Sequence, residues 1–474
     1  MNIPRSFASA HDGALLTYKQ FPDKEVTVQS TVSRRSEDGS KPQLGTDPKK
    51  SRFLIKLSGV IAGGMFIDGF ILGGIGLVIP AMTADLGLSF VWQGLIGASA
   101  LIGIFLGGPL GGYFADKFGR KPMFIIDLAI FLAGSVAQFF VTDEIQLFII
   151  RLLMGMAIGA DYAIGWPLLA EFAPTRLRGK LLAFQEVAWY VGYLLAYAVG
   201  YYMSSALSAD WRIILGMSTV PSLIVFLLRL GTPESPRWLI SKGRVEEGHA
   251  IAREYMEEAE VEDVIREEVR KTSVWRLFSP QYRKATAFVS IYWVCNVTPY
   301  FAIATFAPIV LESFGLEDGL TGALLLNGFV VAGALAAMFL IERVGRRKLA
   351  IPPQWIGAAA LIVIGLFAQV SPLIILTCFI LFSFANAVST ALTGVYPGEV
   401  FPTEIRGAGV GFATAVSRIG AAAGTFILPL SVSGLGVGVT MLIAAGICVI
   451  GAVISQMWAP ETRGMSLSEA SASV

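Results

Sequence analysis

Four ionisable residues stand inside long apolar runs, where charge is expensive. Asp68 follows Gly64-Met-Phe-Ile near the middle of one run, Arg151 and Asp161 share another, and Arg418 lies midway through a third. A charged side chain at mid-bilayer costs at least about 2.5–3.5 kcal/mol on insertion scales, so such groups face a wetted cavity or one another. A carboxylate withdrawn from water holds a proton more readily, which is the requirement for coupling a proton to another process. Asp68 and Asp161 are the candidates for that role. The alternative for each is a structural anion, paired with an arginine such as Arg151 or hydrogen-bonded to tyrosines. Arg151 and Asp161 are ten residues apart, about 15 Å along one helix, so they are not expected to pair with each other.

Arg418 points to a different chemistry. A guanidinium stays charged when buried and grips carboxylates through a two-pronged fork, so it suggests an anionic substrate. The alternative is an interhelical salt bridge from Arg418 to Asp68 or Asp161, which a substrate anion or a proton would break. Aromatic residues lie close by in sequence. Trp189, Tyr190, Tyr193 and Tyr197 occupy one run, and Tyr292, Asn296 and Tyr300 form a stripe at helical spacing. Tyr162 and Trp166 stand one turn apart beside Asp161. Stacking surface with a few placed polar groups suits a planar organic acid, although ordinary helix packing explains any single stripe. The expected substrate-binding set is Arg418, Asp161, Tyr162, Trp189, Tyr193, Tyr292, Asn296 and Tyr300. Asn327, Gln354 and Asn386 are further polar groups in apolar runs, and Pro167, Pro299 and Pro308 would each free a backbone carbonyl or bend a helix.

These residues need a scaffold that holds them at mid-membrane. The chain has 474 residues, 54% hydrophobic and only 15% charged, against about 25% charged in a soluble domain. Apolar runs long enough to cross a hydrocarbon core of about 30 Å recur twelve times between 54–80 and 437–459. Lys and Arg sort to alternate connections: 116–121, 172–180, 231–284 and 342–348 carry them, whereas 81–91, 142–145, 312–319 and 431–436 carry none. The positive-inside rule then places both termini in the cytoplasm. Residues 1–52 are polar, without apolar periodicity, and read as a disordered cytoplasmic tail. The net charge of +1 argues against a nucleic-acid partner. Cys295, Cys378 and Cys448 lie in apolar runs and His11 and His249 in polar ones, so no metal site or cofactor is expected. No secretory signal and no phosphate-binding Gly-x-x-x-x-Gly-Lys-Ser/Thr loop is visible, which leaves ion or solute gradients as the expected energy source.

The chain repeats itself at an offset of about 227 residues. Glu171-Phe-Ala-Pro-Thr-Arg-Leu-Arg178-Gly179 returns as Glu399-Val-Phe-Pro-Thr-Glu-Ile-Arg406-Gly407. Asp116-Lys-Phe-Gly119-Arg120 returns as Glu342-Arg-Val-Gly345-Arg346, and Pro233-Glu234-Ser235 as Pro460-Glu461-Thr462. Parallel repeats of this kind place a substrate site at mid-membrane between two halves. Gly112-Tyr-Phe-Ala-Asp116-Lys-Phe-Gly119-Arg120-Lys121 resembles the loop 2–3 signature of the major facilitator superfamily, departing at Phe114 where Leu is usual. Arg151-Leu-Leu-Met-Gly155-Met-Ala-Ile-Gly159 resembles its fourth-helix signature, and Pro233–Leu239 the segment after helix six in sugar and organic-ion porters. Asp68-Gly69-Phe70 and Gly159-Ala-Asp161-Tyr162 look like the metabolite:proton symporters, which include phosphate, niacin-type and aromatic-acid carriers.

The resemblance implies an all-α membrane protein of twelve transmembrane helices in two pseudo-symmetric six-helix bundles, at 53–231 and 285–460. A cytoplasmic linker with amphipathic helices would span 232–284, and a tail 461–474. It also implies a proton-relay role for Arg151. Charges at the cytoplasmic helix ends would form a gate: Asp116, Arg120, Glu171, Arg178, Glu342, Arg346, Glu399 and Arg406 bridge the halves in one state and part in the other. Glu186 could belong to this gate or to the cavity. The expected function is proton-coupled symport of a small organic anion by alternating access, in a cell membrane, as a monomer and not an enzyme. A facilitative or proton-coupled sugar or polyol carrier, an exporter of the same fold, and a transport-inactive receptor are the alternatives.

Overall fold

The computed structural model describes residues 47–266, 273–305, 311, 319–367 and 371–472. The tail up to residue 46 and Pro308 fall outside them. Among the described residues twelve helices are long and apolar enough to cross a membrane, numbered here in chain order. Spans 1 to 6 are Pro48–Ile79, Leu95–Phe118, Arg120–Phe140, Glu144–Phe172, Arg178–Leu207 and Trp211–Arg229. Spans 7 to 12 are Arg283–Ala304, Leu324–Val344, Arg346–Leu366, Pro372–Val400, Glu404–Leu428 and Val437–Trp458.

The first helix starts at Pro48, inside the segment that composition assigns to the polar tail. Asp47 is the reason: its carboxylate accepts a hydrogen bond from the Lys49 backbone at 2.8 Å, and Pro48 stands at the first helical position, the usual start signals. Between spans 6 and 7 short helices run over Pro236–Ser241, Val245–Tyr255 and Glu258–Arg266.

The repeat is visible in the chain path. Spans 2 and 3 are joined through Gly119 at φ 112°, and spans 8 and 9 through Gly345 at φ 93°, a backbone region closed to most other residues. Each of the following helices is capped from a distance. Glu234 accepts from the Arg120 and Lys121 backbones at 3.0 and 3.1 Å, and Glu461 from those of Arg346 and Arg347 at 2.9 and 3.1 Å. A carboxylate there satisfies orphan N–H groups and meets the positive end of the helix dipole.

The two halves touch tightly toward the end of the bundle that carries the repeated charged motifs. Span 2 meets span 11 backbone to backbone. A β-carbon at Gly108 would sit 2.6 Å from the Gly411 carbonyl oxygen, and one at Gly112 2.7 Å from that of Gly407. Small residues permit that approach, and it closes the passage between the halves at the charged end.

A central cavity and a duplicated charge network

The cavity lies between the halves, with about 340 Å³ free of protein atoms, part of it open to solvent. Spans 4 and 5 contribute Tyr162, Trp166, Glu186, Trp189 and Tyr190. Spans 7, 10 and 11 contribute Trp293, Val297, Tyr300, Phe301, Thr390, Thr393 and Arg418. Arg418 is 4% exposed, and its guanidinium lies 5.5 Å from the centre of the Tyr162 ring and 5.3 Å from that of Phe301. Its Nε has no hydrogen-bond partner; nor do the Tyr300 hydroxyl and the Trp166 indole N–H, all buried. Glu186, which sequence left between gate and cavity, belongs to the cavity wall. It accepts from the Thr393 hydroxyl at 3.2 Å, a bond from one half to the other.

Four of the eight expected substrate residues therefore line the cavity: Arg418, Tyr162, Trp189 and Tyr300. The others stand elsewhere. Tyr193 stacks behind Trp189 at 5.6 Å. Tyr292 turns away and donates to the Ser389 carbonyl at 2.6 Å. Asn296 donates to the Tyr292 carbonyl and lines a separate pocket with Gln354 and Asn386, inside the second half. Asp161 is withdrawn from the lining because Arg229 claims it, at 2.9 Å.

Arg229 went unremarked in sequence, at the end of an apolar run where an arginine reads as a flank. It is fully buried, pairs with Asp127 at 3.1 Å as well as with Asp161, and lies 3.6 Å over the Phe124 ring centre. The salt bridge expected as the alternative for Arg418 thus falls to Arg229 instead. Asp68 is fully buried with neither carboxylate oxygen hydrogen-bonded, and Asp161, Arg229, Asp127 and Arg418 are the charges that act on it. Arg151 is fully buried too, with none of its three nitrogens hydrogen-bonded. It faces a small cavity shared with Phe70 and Ile71 of span 1 and Gln138 of span 3. Missed in the cavity itself were Thr390 and Thr393; with Asn386 they recur at i, i+4 and i+7, a spacing that marks one helix face.

At the charged end the repeat produces the same network twice. In the first half Glu171 binds Arg120 and receives the Ser235 hydroxyl. In the second Glu399 binds Arg346 at 2.8 Å and receives the Thr462 hydroxyl at 2.5 Å, and Glu342 adds a further contact to Arg346 at 2.8 Å. Most of the expected bridging charges therefore pair within their own half. Contacts between halves are fewer. Arg406 reaches Glu171 at 3.4 Å, Glu342 accepts from the Lys180 backbone at 3.2 Å, and Arg178 donates to the Met465 carbonyl at 3.3 Å. Asp116 takes the backbone N–H of Ala408.

Beyond the spans, the short helices tie this end together. Glu260 accepts from the Thr175 backbone at 2.8 Å, and Asp263 is held by Arg237 and the Ser468 hydroxyl. Burial pushes the Asp263 carboxyl up, but Arg237 and Ser468 outweigh it and leave the group below the usual carboxylate range.

Two six-helix halves around an aromatic and charged cavity, shut at one end by a duplicated ionic network, define a solute carrier of the major facilitator fold. The chain belongs to the sugar (and other) transporter family, whose model matches residues 19–473. It is 40% identical over 418 residues to the inner membrane metabolite transport protein YgcS of Escherichia coli (strain K12), covering 88% of this chain and 94% of that one. It is 26% identical over 387 residues to the niacin transporter NiaP of Acinetobacter baylyi, covering 80% and 87%. Among solved structures it is similar to the proton:xylose symporter XylE of E. coli bound to 6-bromo-6-deoxy-D-glucose, with TM-score 0.78, 23% identity and coverage of 89% and 99%. The chain is a multi-pass membrane transporter of a small molecule.

Proposed function

We propose that this transporter carries a small organic anion together with a proton by alternating access, from the inner membrane, with its charged end and both termini in the cytoplasm. The observation that carries the reading is Arg418: a buried guanidinium on the cavity wall, with no carboxylate bound to it among the described residues. The unpartnered Tyr300 hydroxyl and Trp166 N–H supply further donors for the oxygens of an acid. A charge-assisted hydrogen bond contributes roughly 1.5–3 kcal/mol, enough to select an anion over a neutral isostere. The inner-membrane and niacin-carrying relatives fit the same reading.

The proton belongs to the first half. Asp127 and Asp161 already pair with Arg229, the larger of the two cationic influences on Asp68, and that one charge cannot balance three carboxylates in a dry interior. Asp68, without a partner, is the group placed to gain and lose the proton. Arg229 and Arg418 are the cations that act on it, while Arg151, beside Phe70 and Ile71 in a small cavity of its own, keeps the proton-relay role that the family resemblance implies. The family and the fold also accommodate a sugar carrier. Against that, the amides Asn296, Gln354 and Asn386, which suit hydroxyl groups, line a different pocket.

A thermal-shift screen of the purified protein separates the two. Carboxylates should stabilise it, by about 2.7 kcal/mol at a hundred times the Kd, and Arg418→Gln should abolish the effect. Stabilisation by xylose or inositol alone, retained in Arg418→Gln, would establish the sugar reading. In proteoliposomes, Asp68→Asn should lose proton-driven accumulation of the stabilising acid yet keep exchange. Intact accumulation in both Asp68→Asn and Asp161→Asn would defeat the proton assignment.

A further inference from the structure

We infer that the substrate is a zwitterion, whose carboxylate meets Arg418 and whose cationic nitrogen lies in the aromatic wall against Glu186. This rests on the organic-anion reading of the same cavity and narrows it.

Charge balance is the first argument. Among the described residues the wall carries one guanidinium and one carboxylate, Arg418 and Glu186, exposed by only 4% and 7%, and they act on each other without forming a direct ion pair. Glu186 has a single hydrogen bond, from Thr393. A ligand bearing only an anion would answer Arg418 and leave the Glu186 carboxylate confined with a like charge. Unpaired charge in a desolvated site is strongly disfavoured. A ligand with one charge of each sign answers both groups and leaves no excess.

The wall itself is the second argument. Trp166, Trp189, Tyr190 and Trp293 surround the space beside Glu186. Aromatic faces attract cations, tryptophan most strongly, and quaternary ammonium groups are recognised in this way. Arg418, Tyr300 and the Trp166 N–H supply donors on the same wall. The lining rings stand close together, Trp166 and Trp293 at 5.4 Å and Tyr190 and Tyr300 at 5.6 Å between centres, which suits a single ring or a compact ammonium with an attached carboxylate. The chemical class is a betaine or an N-alkylpyridinium carboxylate.

The rival role for Glu186 is to carry the coupled proton and stay neutral when an anion binds. The two roles give opposite signs for Glu186→Gln. Binding can be followed on the full-length protein by quenching of its tryptophan fluorescence, since three tryptophans line the site. The probes are two pairs differing at one atom: glycine betaine with 3,3-dimethylbutyrate, and N-methylnicotinate with 3-methylbenzoate. In the parent protein at least one zwitterion should bind about 30-fold more tightly than its carbon analogue. Glu186→Gln should reduce that ratio to about twofold or less, Glu186→Asp should retain most of it, and Arg418→Gln should weaken both members of the pair. No preference in either pair, through equal binding or none, overturns the inference. Tighter binding of the plain carboxylate in Glu186→Gln also overturns it, while leaving the anion reading intact. Loss of the anion reading has its own signature, carboxylate affinity indifferent to Arg418→Gln.

Discussion

The two halves of this molecule are alike at the charged end and unlike in the interior. Glu171, Arg120 and Ser235 reproduce the arrangement of Glu399, Arg346 and Thr462, down to the glutamates that cap spans 3 and 9. A few turns deeper the symmetry is gone. The first half buries Asp68, Asp127, Asp161 and Glu186, whereas the second buries Arg418 among amides and hydroxyls. What both halves must do, open and close one passage, is encoded twice. What the proposed mechanism asks of each half once, holding a proton or gripping an anion, would be encoded in one half only.

The two buried arginines test that division most severely. Arg229 is paired with two carboxylates, and removing it leaves both buried without a counter-charge. Breaking a buried pair in this way costs roughly 3–5 kcal/mol, so Arg229→Gln should strongly lower the unfolding temperature in detergent. Arg418 is bonded to no carboxylate among the described residues and acts on Asp68 and Glu186 only at a distance. Arg418→Gln should stay within about 1 kcal/mol of the parent while transport collapses. Equal losses of stability in the two variants would show that Arg418 is structural after all, and the comparison between halves would fail.

A smaller effect distinguishes the duplicated networks. Glu171 and Glu399 are each bonded to an arginine and a hydroxyl close by, but among the described residues the ion pair across the halves is at Glu171, with Arg406 at 3.4 Å, whereas Arg178 acts on Glu399 from farther off. Neutralising either weakens charge-assisted bonds worth roughly 1.5–3 kcal/mol. Only Glu171→Gln should, in addition, shift the protein toward opening at the charged end. Cysteines placed on spans 2 and 11 report this, reacting faster with a thiol reagent applied from that end. Matching reactivity in Glu171→Gln and Glu399→Gln would mean that the Arg406 contact does not hold the gate.

Much of this was legible in the sequence, for physical reasons. The lipid thickness fixes the length of an apolar run, and the repeat fixes which charged motifs correspond, so the spans, the two halves and the pairing of their charged motifs could be read directly. The cavity could be read only in part. Tyr292, Asn296 and Tyr300 share a stripe, yet at 3.6 residues per turn each four-residue step rotates by about 40°. Across eight residues the stripe swings far enough for Tyr300 to reach the cavity while Tyr292 bonds to Ser389. Spacing says which residues are neighbours and not which helix they face. Arg229 illustrates the same limit. Its neighbours Leu227, Leu228 and Leu230 mark the end of a span, and nothing in them indicates that spans 3 and 4 bring Asp127 and Asp161 to that point.

The smallest expected effect concerns a feature the repeat does not copy, the helices between spans 6 and 7. Asp263 joins Arg237 to Ser468, near the last residues described. Because Arg237 and Ser468 hold its carboxyl below the usual value of 3.8, it binds protons less readily folded than unfolded. Its contribution is therefore complete above the unfolded carboxyl value, near ~3.9, and is lost as pH falls through the lower folded value. The group is partly exposed, so solvent screening limits the contribution to about 1 kcal/mol or less. Asp263→Asn should lower the unfolding temperature by a small, constant amount from pH 8 to 5, and the gap should close only below about pH 4. A gap that closed between pH 8 and 6 would locate the titrating group elsewhere. The helices outside the repeat would then brace the charged end by packing alone, with no ionic tie to the second half.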